Sequence, residues 1–274
     1  MKWLLTGLLF AGLVWGTVFL LFRQLKYPRK LRGWLITGFH ASLGLCVVFL
    51  ILSRLFRFEG EVVLTEGQTL REVHSDYIFM HEGPFFKENH KGFSLRLDKL
   101  ELRRAHDMEE YVSQITLQSE DKSPIKVDVR VNHPYKFKGF YIYHFRQGFS
   151  PSLLIEDAEG KILLNSFVNL SIVKDEKNRD ISQDEVRLSS GRLNLNLKYL
   201  PDKKNLHIAI KEHEKSVGEE TMAVGETKKI GDYNLTLKEL RRWSGLRLVK
   251  DPYLNMVYFG FVLGIIFLAG IILI

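Results

Sequence analysis

The sequence predicts a membrane protein with three transmembrane helices and a large, mainly antiparallel β domain, a sandwich or an open barrel, lying outside the cytoplasm. Three observations lead there. Three uncharged apolar runs, Trp3–Phe22, Trp34–Ser53 and Pro252–Ile274, each reach the roughly 20 residues with which a helix crosses about 30 Å of hydrocarbon. Period-two alternation recurs about ten times between the second and third runs. The cations cluster beside the apolar runs: residues 1–54 hold Lys2, Arg23, Lys26, Arg29, Lys30, Arg32 and Arg54 and no acid, which accounts for the whole net charge of +7. A chain whose remainder is neutral lacks the basic face that would bind nucleic acid.

The first run lacks a strong basic leader and is followed by a basic cluster instead of a small-residue cleavage site, so it is read as a retained helix. It pairs with the second run, about residues 34–53, to make a helical hairpin over residues 1–56. The loop between them, Arg23 to Gly33, carries only cations among its charged residues, which places it in the cytoplasm. Residues 57–250 then form the extracytoplasmic domain, and residues 251–274 return through the bilayer. Asp251-Pro252 reads as a helix start, the carboxylate capping free amides and Pro taking the first helical position. Gly38 with Ser42, Gly12 with Gly16, and Gly260 with Gly264 put small residues four apart, as closely packed membrane helices do.

Within the outer domain, alternating stretches fall at 61–66, 93–103, 111–118, 125–131, 140–145, 152–157, 161–173, 193–200, 205–211 and 233–240. Turn-forming residues punctuate them at Glu66-Gly67, Asp121 to Pro124, Glu159-Gly160, Ser190-Gly191, Pro201-Asp202 and Gly231-Asp232. The charged stretches 174–192 and 212–222 read as mobile loops. Cys46, inside the second run, is the only cysteine, so the outer domain has neither disulfides nor a thiol nucleophile. No GxSxG, HExxH, phosphate-loop or dinucleotide motif occurs, which argues against an independent enzyme. The outer histidines, His133 and His144 among them, are read as surface or strand-face residues.

His40 differs, because an ionisable side chain inside an apolar span faces a protein interior or a site. One reading is an interhelical hydrogen bond to Thr6, Thr17, Ser42 or a partner helix. The other is an axial ligand to haem iron, which a neutral imidazole binds well.

Three stretches resemble the ResB (CcsB) family of cytochrome c biogenesis proteins. Leu35 to Gly67 is similar to a family helix with an early His, a Leu-Gly-rich span and a following strand that ends in Glu-Gly. Val131 to Gly148, VNHPYKFKGFYIYHFRQG, is similar to the family's V-N-H-P, G-Y, Y-Q and Gly pattern, and Trp243 to Phe261 resembles its W-x-G-L approach to the last helix. The family usually has four membrane helices, and the first run here resembles its second, which leaves more for a partner to supply. The resemblance implies a multi-pass inner-membrane protein with its main domain in the periplasm. It also implies transient haem b as cargo, His40 as an axial ligand of the haem iron, and a CcsA-like membrane partner. In such a complex haem moves outward and is attached to apocytochrome c, and this chain would be a subunit with no catalytic residue of its own. The competing reading is a membrane-anchored β domain that scaffolds another envelope complex without handling haem.

Overall fold

The computed structural model describes residues 31–87, 92–105, 108–119, 122–174, 180–188 and 193–274, together with Trp15, Gly16, Val18, Phe19 and Phe22. Those five are helical. The rest of the expected first helix, and most of the basic loop after it, lie outside the described residues, as do Thr6, Gly12 and Thr17. Among the described residues two helices, not three, are long and apolar enough to cross a membrane: α1 (Leu31–Phe56) and α2 (Leu254–Leu273). Between them the described residues are mostly antiparallel β-sheet. It divides into two compact units, one holding the helices with residues 81–88 and 249–253, the other holding residues 60–80 and 89–248.

In the helical unit the small residues set the packing. A Cβ on Gly260 would crowd Cys46 and Ser42, one on Gly264 would crowd Ser42, and one on Gly38 would collide with the Phe267 ring. Glycine at these points lets α1 and α2 approach where dispersion must replace the hydrophobic effect. The Cys46 thiol reaches the Val257 carbonyl at 3.6 Å, and Ser53 Oγ donates to Asp251 Oδ2 at 2.5 Å. Asp251 Oδ1 accepts from the amides of Tyr253 and Leu254, both at 3.0 Å, so it caps α2 as expected. Pro252, however, lies two residues before the helix and not at its first position. The outer face of α2 leaves Phe259, Phe261, Ile265 and Ile266 more than half exposed, a continuous apolar surface of the kind that lipid covers.

The β unit contains two sheets. The larger runs β14 (Lys215–Met222), β13 (Asn205–Glu212), β12 (Leu193–Leu200), β11 (Asp180–Leu188), β10 (Leu170–Lys174), β8 (Phe140–Glu156), β16 (Tyr233–Lys250), β1 (Phe58–Thr65) and β3 (Phe79–Glu82), with β7 (Tyr135–Phe137) and β9 (Ile162–Phe167) on β8 and β15 (Thr227–Ile230) on β16. The smaller runs β2 (Thr69–Arg71), β4 (Ser94–Ala105), β5 (Met108–Ser119) and β6 (Lys122–Arg130). One core draws on β8, β10, β12, β13, β14, β15 and β16 of the same sheet, through Leu153, Leu195, Ile208, Met222, Ile230 and Leu235. A sheet that buries so many of its strands against each other curls over its own core. Gly218 against Ile230 brings β14 beside β15.

Several strand boundaries differ from the expectation. The stretches at 140–145 and 152–157 are one strand, β8, long enough to pair with β7 near its start, β10 at Gly148 and Phe149, and β9 near its end. The stretch 161–173 is two strands, since at Val168 and Asn169 the chain shifts from one part of β8 to another, and the Asn169 side chain accepts from Ser150 and Thr65 hydroxyls. β16 continues through WSGLRLV to Lys250. Pro124 lies inside β6. The stretches taken as mobile loops are strands in part: β11 occupies 180–188 and β14 occupies 215–222. The β13–β14 turn is made by His213 and Glu214, both with positive φ, so no glycine marks it. At the edge of the sheet, β14 can carry charge on its outer face without cost.

Among the described glycines of the β unit, Gly148 is the most closely packed. Trp243 Nε1 donates to the Leu170 carbonyl at 2.8 Å, and a Cβ on Gly148 would collide with that oxygen and with the indole. Gly148→Ala should therefore lower the unfolding free energy of the β unit by about 1–3 kcal/mol, the usual overpacking cost, or by more if the Trp243 bond breaks. Gly92→Ala, where the nearest atom lies at an ordinary 3.8 Å, should be neutral in the same denaturant titration of the detergent-solubilised chain. Equal effects at the two positions would contradict this packing.

Candidate functional site

The expected ligand His40 lies in the first half of α1. The line Leu35, Gly38, Ser42 and Cys46 faces α2. At 3.6 residues per turn His40 sits about 150° around the helix from that line, on the other side. Its Nδ1 lies 2.8 Å from the Ile36 carbonyl oxygen. A carbonyl only accepts, so Nδ1 carries the proton and Nε2 presents its lone pair. This is how metal-binding imidazoles are commonly held, one nitrogen fixed by a backbone carbonyl and the other kept as a ligand. The ring is half-buried, with Phe39 packed edge-on at 5.7 Å between centroids. Of the interhelical partners considered, Ser42 is engaged with the Phe39 carbonyl and not with His40.

In the β unit a polar cluster joins the two sheets. Ser113 of β5 lies 2.8 Å from His144 Nδ1 and 2.7 Å from Ser244 of β16, and Ser244 lies 3.1 Å from the same nitrogen. His144 Nε2 lies 2.9 Å from the Gln147 side-chain oxygen. With the Gln147 oxygen accepting from Nε2–H, Nδ1 accepts a proton from one of the two serine hydroxyls, and the other hydroxyl donates to its neighbouring serine. A serine beside a histidine resembles an activated nucleophile, but Ser113 and Ser244 are both 0% exposed, so no substrate reaches them. The cluster is a structural lock. His144, expected as a surface or strand-face residue, lies on a strand face, and that face is the buried one, leaving it 4% exposed. Its place in FYIYHF, on the face alternating with Tyr141, Tyr143 and Phe145, was the available signal.

The sheets are joined a second time at the Glu66-Gly67 turn. The Glu66 carboxylate accepts the Leu100 amide at 2.8 Å and the Arg242 amide at 3.2 Å, while Arg242 donates to the Leu100 carbonyl at 3.2 Å. The Val131-Asn132 turn, closed by the Arg130–His133 bridge, carries the chain from β6 of one sheet to β7 of the other, with Asn132 in the left-handed region. His133 is exposed there and is a turn residue. Lys138 and Gly139, both with positive φ, then close the two-residue hairpin between β7 and β8. Among the described residues no group of three or more His, Cys, Asp or Glu side chains could hold a metal ion.

Burial pushes the His144 imidazole below its ordinary pKa of 6.5, with the Gln147 bond pulling the other way. The unfolded chain therefore takes up this proton at about pH 6.5 while the folded chain does not. Stability is full above that pH. It should decline by at most about 1.4 kcal/mol per pH unit as the pH falls toward the folded value. Denaturant titrations between neutral and mildly acidic pH should show this slope, and His144→Gln should flatten it while lowering stability throughout. A slope unchanged in His144→Gln would rule out the lock as the titrating element.

Comparison with curated proteins gives no match. A model of the ResB-like family matches residues 30–184, which takes in α1, the whole of the smaller sheet and the larger sheet as far as β11. The match covers more than half of the chain, and the chain belongs to the ResB-like family.

Proposed function

We propose that this chain is the non-catalytic, haem-carrying subunit of a membrane complex for cytochrome c biogenesis, with His40 an axial ligand of haem iron through Nε2. The observation that carries the reading is the state of the imidazole. Its proton is committed to the Ile36 carbonyl, its Nε2 lone pair is available, and it stands on the face of α1 that packing against α2 leaves unused. Haem is cargo here, and its iron accepts an imidazole. The work of the chain is to hold one ligand in the right tautomer inside an apolar environment. Family membership supports the class of process, and the two apolar helices support a membrane setting.

The finer parts belong to the same proposal. The basic loop faces the cytoplasm and the β unit the periplasm, the residues up to Phe22 supply a third helix, and the remaining wall of the haem groove comes from a CcsA-like partner. Haem passes from there to that partner and on to apocytochrome c. The β unit, whose buried cluster offers no reactive group to solvent, holds the complex in register.

The test is haem content. In the complex purified with its partner, His40→Ala should lower haem per mole of assembled complex, and imidazole in the medium should partly restore it by filling the vacated position. Because His40 bonds its own helix, the variant should still insert and pair. Undiminished haem would favour the second reading, a membrane-anchored scaffold with no part in haem handling.

A further inference from the structure

Residues 83–87, Gly-Pro-Phe-Phe-Lys, form a short irregular loop that belongs to the helical unit. It is fastened to the C-terminal end of α1. The Gly83 amide donates to the Arg57 carbonyl at 2.8 Å and the Phe85 amide to the Leu55 carbonyl at 2.9 Å. Leu55 O is one of the last-turn carbonyls that a helix leaves without an internal partner, so the loop caps α1. Gly83 is required at the join, since a Cβ there would run into the carbonyls of Leu55 and Arg54.

The backbone donors of residues 83–86 are accounted for. Gly83 bonds Arg57 just past α1, Phe85 bonds Leu55 in its last turn, Phe86 N–H bonds the Gly83 carbonyl at 2.9 Å, and Pro84 has no N–H. Irregular backbone normally keeps to water because its amides need partners, and four successive residues with no free N–H remove that need. The side chains match this. Phe85 is 52% exposed, Pro84 and Lys87 are exposed, and Phe85 packs on Phe56 at 5.7 Å, which packs in turn on Tyr253 at 5.4 Å. Phe56 is the last residue of α1 and Tyr253 the residue before α2, so the ring of Phe85 lies level with the ends of both apolar helices.

We propose that the loop 83–87 is an interfacial anchor whose Pro84 and Phe85 enter the headgroup and upper acyl region of the bilayer, with Lys87 at the lipid phosphates. This rests on the reading of α1 and α2 as membrane spans. Aromatic rings and lysines at a helix end favour that layer, and residues 83–86 add apolar surface there without exposing a backbone donor to lipid.

The test uses the full chain in liposomes of phosphatidylethanolamine and phosphatidylglycerol, carrying one nitroxide label at Phe85→Cys, Ile265→Cys or Glu159→Cys in a Cys46→Ser background. Chains that keep the buried Cys46 are labelled in parallel in case that background fails to insert. Relaxation by oxygen, which partitions into lipid, is compared with relaxation by a water-soluble nickel chelate. Position 265 should favour oxygen and position 159 the chelate, with position 85 several-fold more oxygen-biased than 159 and approaching 265. If 265 favours oxygen but 85 behaves like 159, the anchor is wrong and the membrane spans stand. If 85 is reached by neither reagent, protein and not lipid covers it, and the proposal also fails. If 265 itself favours the chelate, the membrane reading fails and takes the anchor with it.

Discussion

The β unit depends on the buried contact between Ser113 on one sheet and His144 and Ser244 on the other. Two sheets in face contact could slide if only apolar groups met between them. A fully buried imidazole whose two nitrogens need a donor and an acceptor admits one register, because any slip would leave a polar group unpaired at a cost of about 1–3 kcal/mol. Gln147 completes the set on the same strand as His144, and one residue further Gly148 lets Trp243 reach the Leu170 carbonyl. The Glu66 carboxylate repeats the device, bonding the Leu100 amide of the smaller sheet and the Arg242 amide of the larger.

Three sequence stretches far apart in the chain meet at these contacts, and the first two fall inside the residues that the family model matches. Glu66-Gly67, the run from Asn132 to Gly148, and Trp243 to Gly245 all lie at the junctions between sheets, as turn, crossover or buried partner. At these contacts the Glu66 carboxylate, the His144 imidazole and the Trp243 indole are each held by hydrogen bonds. In the helical unit, glycine and serine use up one face of α1 against α2, and the imidazole of His40 remains on the other with one nitrogen uncommitted. On the proposed reading the β unit keeps shape and the helix supplies a ligand.

The elements that obey one local rule were legible in the sequence. α1 and α2 show as uninterrupted apolar runs, and β12 and β13 as strict alternation bounded by Pro201-Asp202. Asp251 was legible as a cap because a carboxylate ahead of an apolar run has one obvious use. The charged stretch at 212–222 was misread because the His213-Glu214 turn reaches positive φ without glycine, and because an edge strand needs no apolar outer face. β16 was read too short because Trp243 to Leu246 are buried on both faces and alternation disappears, and β8 because its middle, Arg146-Gln147-Gly148, carries polar residues and a glycine instead of alternating apolar ones. His144 stayed hidden because its partners, Ser113 and Ser244, are 31 and 100 residues away along the chain and come together only once both sheets exist. His40 was legible as a site from its place in an apolar span; its tautomer was not, since that depends on the rotamer that reaches Ile36 O.

The central claim is a bond between His40 Nε2 and haem iron, and ligand identity tests it more directly than any assay of the pathway. Near-infrared magnetic circular dichroism of the ferric complex reads axial ligation from the position of the charge-transfer band. Wild-type protein should show a nitrogen-ligated signature, and His40→Cys should shift it to that of thiolate ligation. Identical bands in the two proteins would mean that the iron takes its ligands elsewhere.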